Sequence, residues 1–195
     1  MKRIYLIVSL VFLTTPLLAQ YGAGSRWSEL GFLAQSRKLN LVIDYSFADM
    51  LGEDYVDFVA GEADWDRYAP EIRSRFIRAF NSEADDGPFP HRIGSYQDAD
   101  YVIYIHVRKV HDGGSVVKGV MDITDAEGNV FFSREVEGNE GRFGSVCNLM
   151  GDAFEELGED VGRCFFRYAR ARKVKVSRKP EDDVALEGRM EESSQ

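Results

Sequence analysis

The stretch DITDAEGNVFF, residues 122–132, sets Asp122, Asp125, Glu127 and Asn129 around Gly128. Oxygen ligands at that density could hold a hard cation such as calcium. An EF-hand loop needs carboxylates at its first, third and fifth positions, glycine at the sixth and a bidentate glutamate at the twelfth. With Gly128 sixth, apolar Ile123 falls first and cationic Arg134 twelfth, so the pattern fails at both ends. Turn chemistry explains the stretch better. Asp125 starts a type I turn and Gly128 supplies a left-handed position at its end. A four-residue loop, Asp125–Gly128, then sets Thr124 opposite Asn129, Ile123 opposite Val130, Met121 opposite Phe132, Val117 opposite Val136 and Lys118 opposite Glu135. That register pairs apolar with apolar and plus with minus. A three-residue loop with a bulge at Gly128 would set Met121 against Ser133 and Val117 against Glu137, and is the poorer fit. Arg134 is the odd residue, falling on the apolar side opposite Gly119.

Acid–base or metal-dependent hydrolysis has one candidate set, Asp98, Asp100, His106, His111 and Asp112, provided that folding brings these groups into one pocket. Tyr101 and Tyr104, in the same stretch, could instead bind a small ligand. The three histidines, His91, His106 and His111, show no zinc-type spacing. There is no G-x-S-x-G elbow for a serine nucleophile. Gly141–Ser145 precedes a helix but lacks the lysine and spacing of a phosphate loop, so Ser145 reads as a helix cap. No catalytic, cofactor-binding or metal-binding residue is assigned, and no cofactor is expected. Cys147 and Cys164 fall on one helix about 25 Å apart, too far for a disulfide. Cys164 is expected in the core and Cys147 near the helix start.

These groups must be carried by a small set of elements. Residues 40–46 alternate as a strand, with Leu41, Ile43 and Tyr45 on one face. Trp65, Ala69, Ile72, Phe76 and Phe80 draw an apolar helical stripe, with Pro70 expected in the first turn and Trp65 just ahead of it. Strands are predicted at 101–110, 116–124 and 129–137, then a final helix from Ser145 through Tyr168. Glycines 144, 151, 158 and 162 run beside its apolar stripe. Interior glycine costs about 1 kcal/mol against alanine, so the stripe predicts close backbone packing. The order β-α-β-β-β-α predicts an α+β fold, a two-layer sandwich with both helices on one face of a predominantly antiparallel sheet.

The ends read differently. Lys2 and Arg3, the apolar run 4–13 and Leu17-Leu18-Ala19 form the pattern of a signal peptide over residues 1–19. The run is too short to span a bilayer, and no lipid-acceptor cysteine follows Ala19. Residues 20–38 are a lead-in, with a helical turn expected near Trp27–Leu33, and 39–171 form one domain. Residues 172–195 are a charged tail expected to be disordered. The basic run 170–179 could touch an anionic surface, although a solvated helix end is the plainer expectation. The net charge of −9 excludes a general nucleic-acid binder.

DADYVIYIHVRKV, VMDITDAEGNVFFSREVEG and the long final helix resemble periplasmic domains of the curli-secretion channel lipoprotein and of penicillin-binding-protein activator lipoproteins. NLVIDYS, FIRAFN and GSVCNLMGDAFEELGEDVG resemble a group of secreted bacterial proteins of unknown function, over residues 39–171. The resemblance implies an accessory or assembly role in the cell envelope and brings no catalytic residues. A protein or envelope component is therefore the expected partner. The expected function is that of an exported, non-enzymatic domain, periplasmic or secreted.

Overall fold

Ile103, Ile105 and Val107 are buried while Tyr104, His106 and Arg108 alternate with them toward the other side. This period of two gives the central strand one apolar face and one polar face. A computed structural model describes residues 24–36, 38–84 and 91–169. The expected signal peptide and residues 172–195 lie outside the described residues, as do the first residues of the lead-in. In chain order the elements are a 3-10 segment Trp27–Gln35, strands β1 (Lys38–Asp44), β2 (Asp49–Met50) and β3 (Glu53–Asp54), and helices α1 (Tyr55–Gly61) and α2 (Trp65–Ala84). Strands β4 (Arg92–Gly94) and β5 (Tyr101–His111), a 3-10 turn Asp112–Gly114, strands β6 (Val116–Thr124) and β7 (Val130–Asn139) and helix α3 (Val146–Tyr168) complete the fold.

The class is α+β, and α2 and α3 share one core with the inner face of the sheet. Across the sheet the order is β4-β1-β5-β6-β7. β2 prolongs the β1 edge of β5, and β3 pairs back on β2. The long β5-β6 and β6-β7 ladders are antiparallel, whereas β1 runs parallel to both β5 and β4. A parallel pair needs a crossover, and α2 supplies it between β1 and β4. The short strands β2, β3 and β4 have too few residues to show a period and were not legible as strands.

α2 begins at Trp65, so Pro70 lies in its second turn rather than its first. The proline removes the N–H that would reach the Asp66 carbonyl. Trp65 belongs to the helix and is buried, its indole N–H donating to the Tyr55 hydroxyl at 3.1 Å. Ser145 caps α3 as expected, accepting from the Asn148 N–H at 3.4 Å. Cys147 lies near the start of α3 as expected and is buried there, whereas Cys164, expected in the core, is half-buried; both are free. Burial pushes the Cys147 thiol up to about 11, with Glu62 beside it, so this thiol is unreactive near neutrality.

The hairpin also departs from its expected register. Thr124 pairs with Val130, Phe131 is left out in a bulge, and Ile123 pairs with Phe132. Met121 then faces Arg134, Lys118 faces Glu137 and Val117 faces Gly138. Pairing apolar with apolar across strands was the wrong criterion, because α3 decides the register. A side-chain carbon at Gly138 would sit 2.0 Å from the Ala153 carbonyl, so a glycine has to lie beneath α3 at that point. Arg134 does occupy the apolar side. Its guanidinium stacks over Trp27 at 5.2 Å and donates to the Ser25 carbonyl at 2.8 Å. Ser25 also donates its N–H to the Ser133 carbonyl and accepts from the Ser133 N–H through its hydroxyl.

The glycines of α3 face α2. A side-chain carbon at Gly158 would lie 2.5 Å from the Phe76 carbonyl, and one at Gly162 would lie 2.8 Å from the Phe80 carbonyl. The close approach is thus made within the monomer. Gly158→Ala is expected to destabilise by about 1–3 kcal/mol through overpacking, despite alanine's better helix propensity. Gly61→Ala, which meets open space, should change stability by less than about 1 kcal/mol. Urea denaturation of the two variants measures the contrast.

Candidate functional site

Among the described residues no helix covers the face of the sheet turned away from α2 and α3. Strand register sets two rows across it. One row is Val42, Tyr104, Asp122 and Ser133; the next is Asp44, His106, Val120 and Glu135. Because side chains alternate, only the parallel pairing of β1 with β5 places Asp44 beside His106. β6 brings Asp122 in from the other flank.

His106 lies between the two carboxylates. Its Nδ1 is 3.3 Å from Asp44 Oδ2, and its Nε2 is 3.5 Å from Asp122 Oδ2. Tyr104 stacks on the imidazole, with ring centres 5.8 Å apart and planes within 9°. The hydrogen bond to Asp122 is the main cause that holds the His106 pKa above 6.5. Partial burial opposes it, and Asp44 adds to it. Burial acts to raise the Asp122 carboxyl, but hydrogen bonds from His106 and Ser133 prevail and leave it below its usual range. Asp44 is also lowered: burial opposes, and the Ser46 N–H, the Ser46 hydroxyl and His106 outweigh it. Asp122 Oδ1 is buried with no hydrogen-bond partner among the described residues. Arg108, on the same face, is 3.8 Å from Glu135.

This geometry limits the chemistry. A hydrolytic triad needs one imidazole nitrogen on a carboxylate and the other on a nucleophile. Both nitrogens of His106 face carboxylates. They lie on opposite edges of the ring, so Asp44 and Asp122 do not converge on one point. Among the described residues no three His, Cys, Asp or Glu side chains form a group that could hold a metal ion. The arrangement is a charged clasp that joins β1, β5 and β6.

The structure does not gather the five residues of the Asp/His set. Asp98 pairs with Lys38 at 2.6 Å, and Asp100 accepts from the Ser36 hydroxyl at 3.0 Å. His111 is 3.0 Å from its neighbour Asp112. Asp100 and His111 flank opposite ends of β5, roughly 35 Å apart at about 3.3 Å per residue, with His106 between them. The two tyrosines are separated as well. Tyr101 packs edge-on to Phe32 and Phe131, whereas Tyr104 lies on His106. Asp44 and Asp122 are the partners that the sequence did not offer. Asp122 was absorbed into the turn stretch, and Asp44 becomes visible only once the β1-β5 register is known.

Asp125 spends its oxygens inside the hairpin turn. Oδ1 accepts from the N–H groups of Glu127 and Asn129, and Oδ2 accepts from the Asn129 side chain. Gly128 sits at φ +86°, the left-handed position expected of it. A groove of about 810 Å³ carries Glu140, Asp152, Glu155, Glu156 and Glu159. Of these, Asp152 is bound to Arg75 at 2.6 Å, and Glu156 accepts the Asn139 N–H. Burial and the neighbouring carboxylates hold the Glu140 carboxyl above its usual range.

No family model matches the chain, and no curated protein matches it. Among solved structures, the PelC dodecamer from Paraburkholderia phytofirmans is 17% identical, with a TM-score of 0.39, over 72% of this chain and 92% of that one. A DUF330 protein from Xanthomonas campestris is 13% identical, with a TM-score of 0.36, over 67% and 81% of the two chains. Similarity this low defines neither fold nor activity, and both rest on the residues of the chain itself. Among the described residues no helix is long and apolar enough to cross a membrane.

The clasp carries a signed pH dependence. His106 has a raised folded pKa, so its contribution to stability is complete below about 6.5 and is lost as pH rises through the folded value. Asp44 and Asp122 are depressed, so the carboxylate half fails only in acid, as pH falls through their folded values. His106→Gln should therefore cost more stability at about pH 5 than at about pH 9. Proton NMR of the His106 ring should give a pKa above 6.5, brought down by Asp122→Asn.

Proposed function

We propose that the chain is an exported domain that acts by binding a protein or another envelope component, and that it is not an enzyme. The observation that carries this reading is the occupancy of His106. Its two nitrogens are committed to Asp44 and Asp122, which leaves the one central histidine of the sheet without a free base position. The separation of Asp98, Asp100, His111 and Asp112 from it supports the same reading. Export is supported by the signal-peptide pattern of residues 1–19, and the absence of a cysteine after Ala19 argues against a standard lipid anchor.

The binding surface in this reading is the uncovered sheet face. Val42 is 37% exposed there, beside the Tyr104 ring and a set of charges already paired with one another. Paired charges need not be stripped of partners when a second surface arrives, so their desolvation costs less than that of lone ions.

Capture from envelope extract tests the reading. Wild-type chain should retain a partner that the double variant Val42→Asp, Tyr104→Ser loses while keeping its circular dichroism spectrum. Equal capture by both would remove the sheet face from the reading. Turnover of any substrate that disappears in His106→Gln would replace binding with catalysis.

A further inference from the structure

Phe47, Leu51, Val56 and Phe143 are 94%, 39%, 73% and 93% exposed. All four lie at one pole of the fold, where β1 and β5 end and α3 begins. Tyr45 stacks on Tyr55 there, the Leu51 N–H donates to the Val110 carbonyl at 3.0 Å, and Gly114 lies against Val146. Leu51 is also strained. It and Gly52 form the two-residue turn from β2 to β3 with φ of +62° and +95°, a position that asparagine-glycine fills in ordinary hairpins. A leucine held left-handed costs backbone energy, and here it exposes an apolar side chain as well. Around Leu51 and Val56 acidic side chains predominate: Glu53, Asp54 and Asp57 are all exposed, while Lys109 is paired with Asp49 and Arg142 lies beside Phe143. An apolar patch ringed by carboxylates repels an anionic bilayer and suits a polypeptide with apolar residues between cations.

The chain carries such a segment. Residues 169–180 read ARARKVKVSRKP. In an extended strand one face would present Arg172, Val174, Val176 and Arg178, two valines bracketed by arginines. This segment cannot serve its own pole. α3 spans 23 residues from Val146 at the pole to Tyr168, a length of about 34 Å. Val176, eight residues beyond Tyr168, reaches back at most about 28 Å. We infer that the pole is a docking surface for the Arg170–Lys179 run of a second copy of the chain, with Val174 and Val176 among Phe47, Leu51 and Val56 and the arginines on the acidic rim. This inference concerns a surface other than the sheet face and does not depend on the binding proposed for it.

Sedimentation velocity of the full chain lacking residues 1–19 tests it. Wild type should associate with rising concentration, and added salt should weaken the association. The pole variant Phe47→Ser, Val56→Ser and the tail variant Val174→Asp, Val176→Asp should each be monomeric. Mixed in equal amounts they should form a dimer and nothing larger, because one intact tail meets one intact pole. Leu51→Asn should raise the melting temperature and still weaken association, which separates docking from folding. Val42→Asp on the sheet face should leave association unchanged. A wild type that stays monomeric at every concentration overturns the inference, whatever other protein or vesicle the pole then binds. Association that survives in either variant, or a mixture that stays monomeric, also overturns it.

Discussion

Gly158 and Gly162 bring α3 against the backbone of α2 at Phe76 and Phe80, while Gly138 brings β7 beneath Ala153 of α3. At these three points backbone meets backbone, and no side chain can act as a spacer. The two helices run side by side in the same direction, since Arg75 meets Asp152, Phe76 lies against Gly158 further along α3, and Phe80 meets Phe165 further along both. The position of α3 then fixes which residue of β7 lies beneath it, and so fixes the register of β7 on β6. That register places Ser133 beside Asp122 and frees Phe131 to join Phe32 and Tyr101. The polar face of the sheet is therefore set by a steric requirement on its apolar face.

Elements whose evidence is local were legible in the sequence. The final helix, its Ser145 cap and the span of β6 follow from spacing alone, and so does the turn at Asp125–Gly128. What could not be read was set by partners distant in the chain. The parallel pairing of β1 with β5 joins residues 62 apart, and nothing near Asp44 marks it as a neighbour of His106. Cross-strand apolar matching gave a hairpin register that α3 overrules. Pro70 was assigned to a first turn because its missing N–H is harmless there. The structure places it one turn later, where the aromatic packing of Trp65 on Tyr45, Tyr55 and Phe58 holds the extra turn at the helix start.

The candidate site shows the same division. His106 was picked out by residue type and its true partners were not, because the expected companions were those near it in sequence. In a strand, near neighbours point to opposite faces or lie several ångströms along the chain, so proximity in sequence predicts little about what a strand side chain touches. Across the sheet, the clasp replaces one strand-to-strand side-chain contact on each flank of β5 with a charge-assisted one. The outer face, on which no described helix packs, thereby acquires a defined arrangement.

Ser25 has a consequence beyond its contact with Arg134. Among the described residues β7 is an edge strand of the sheet, and such an edge presents N–H and carbonyl groups that can template pairing with another chain. Through Ser133, Ser25 occupies part of that edge, and Glu156 takes the Asn139 N–H further along. The lead-in thus occupies part of an edge that would otherwise be open to pairing. Ser25 lies only six residues downstream of Ala19, the residue after which the leader is expected to be cut, so processing a few residues further along would remove this cover and leave only the Glu156 contact on the edge.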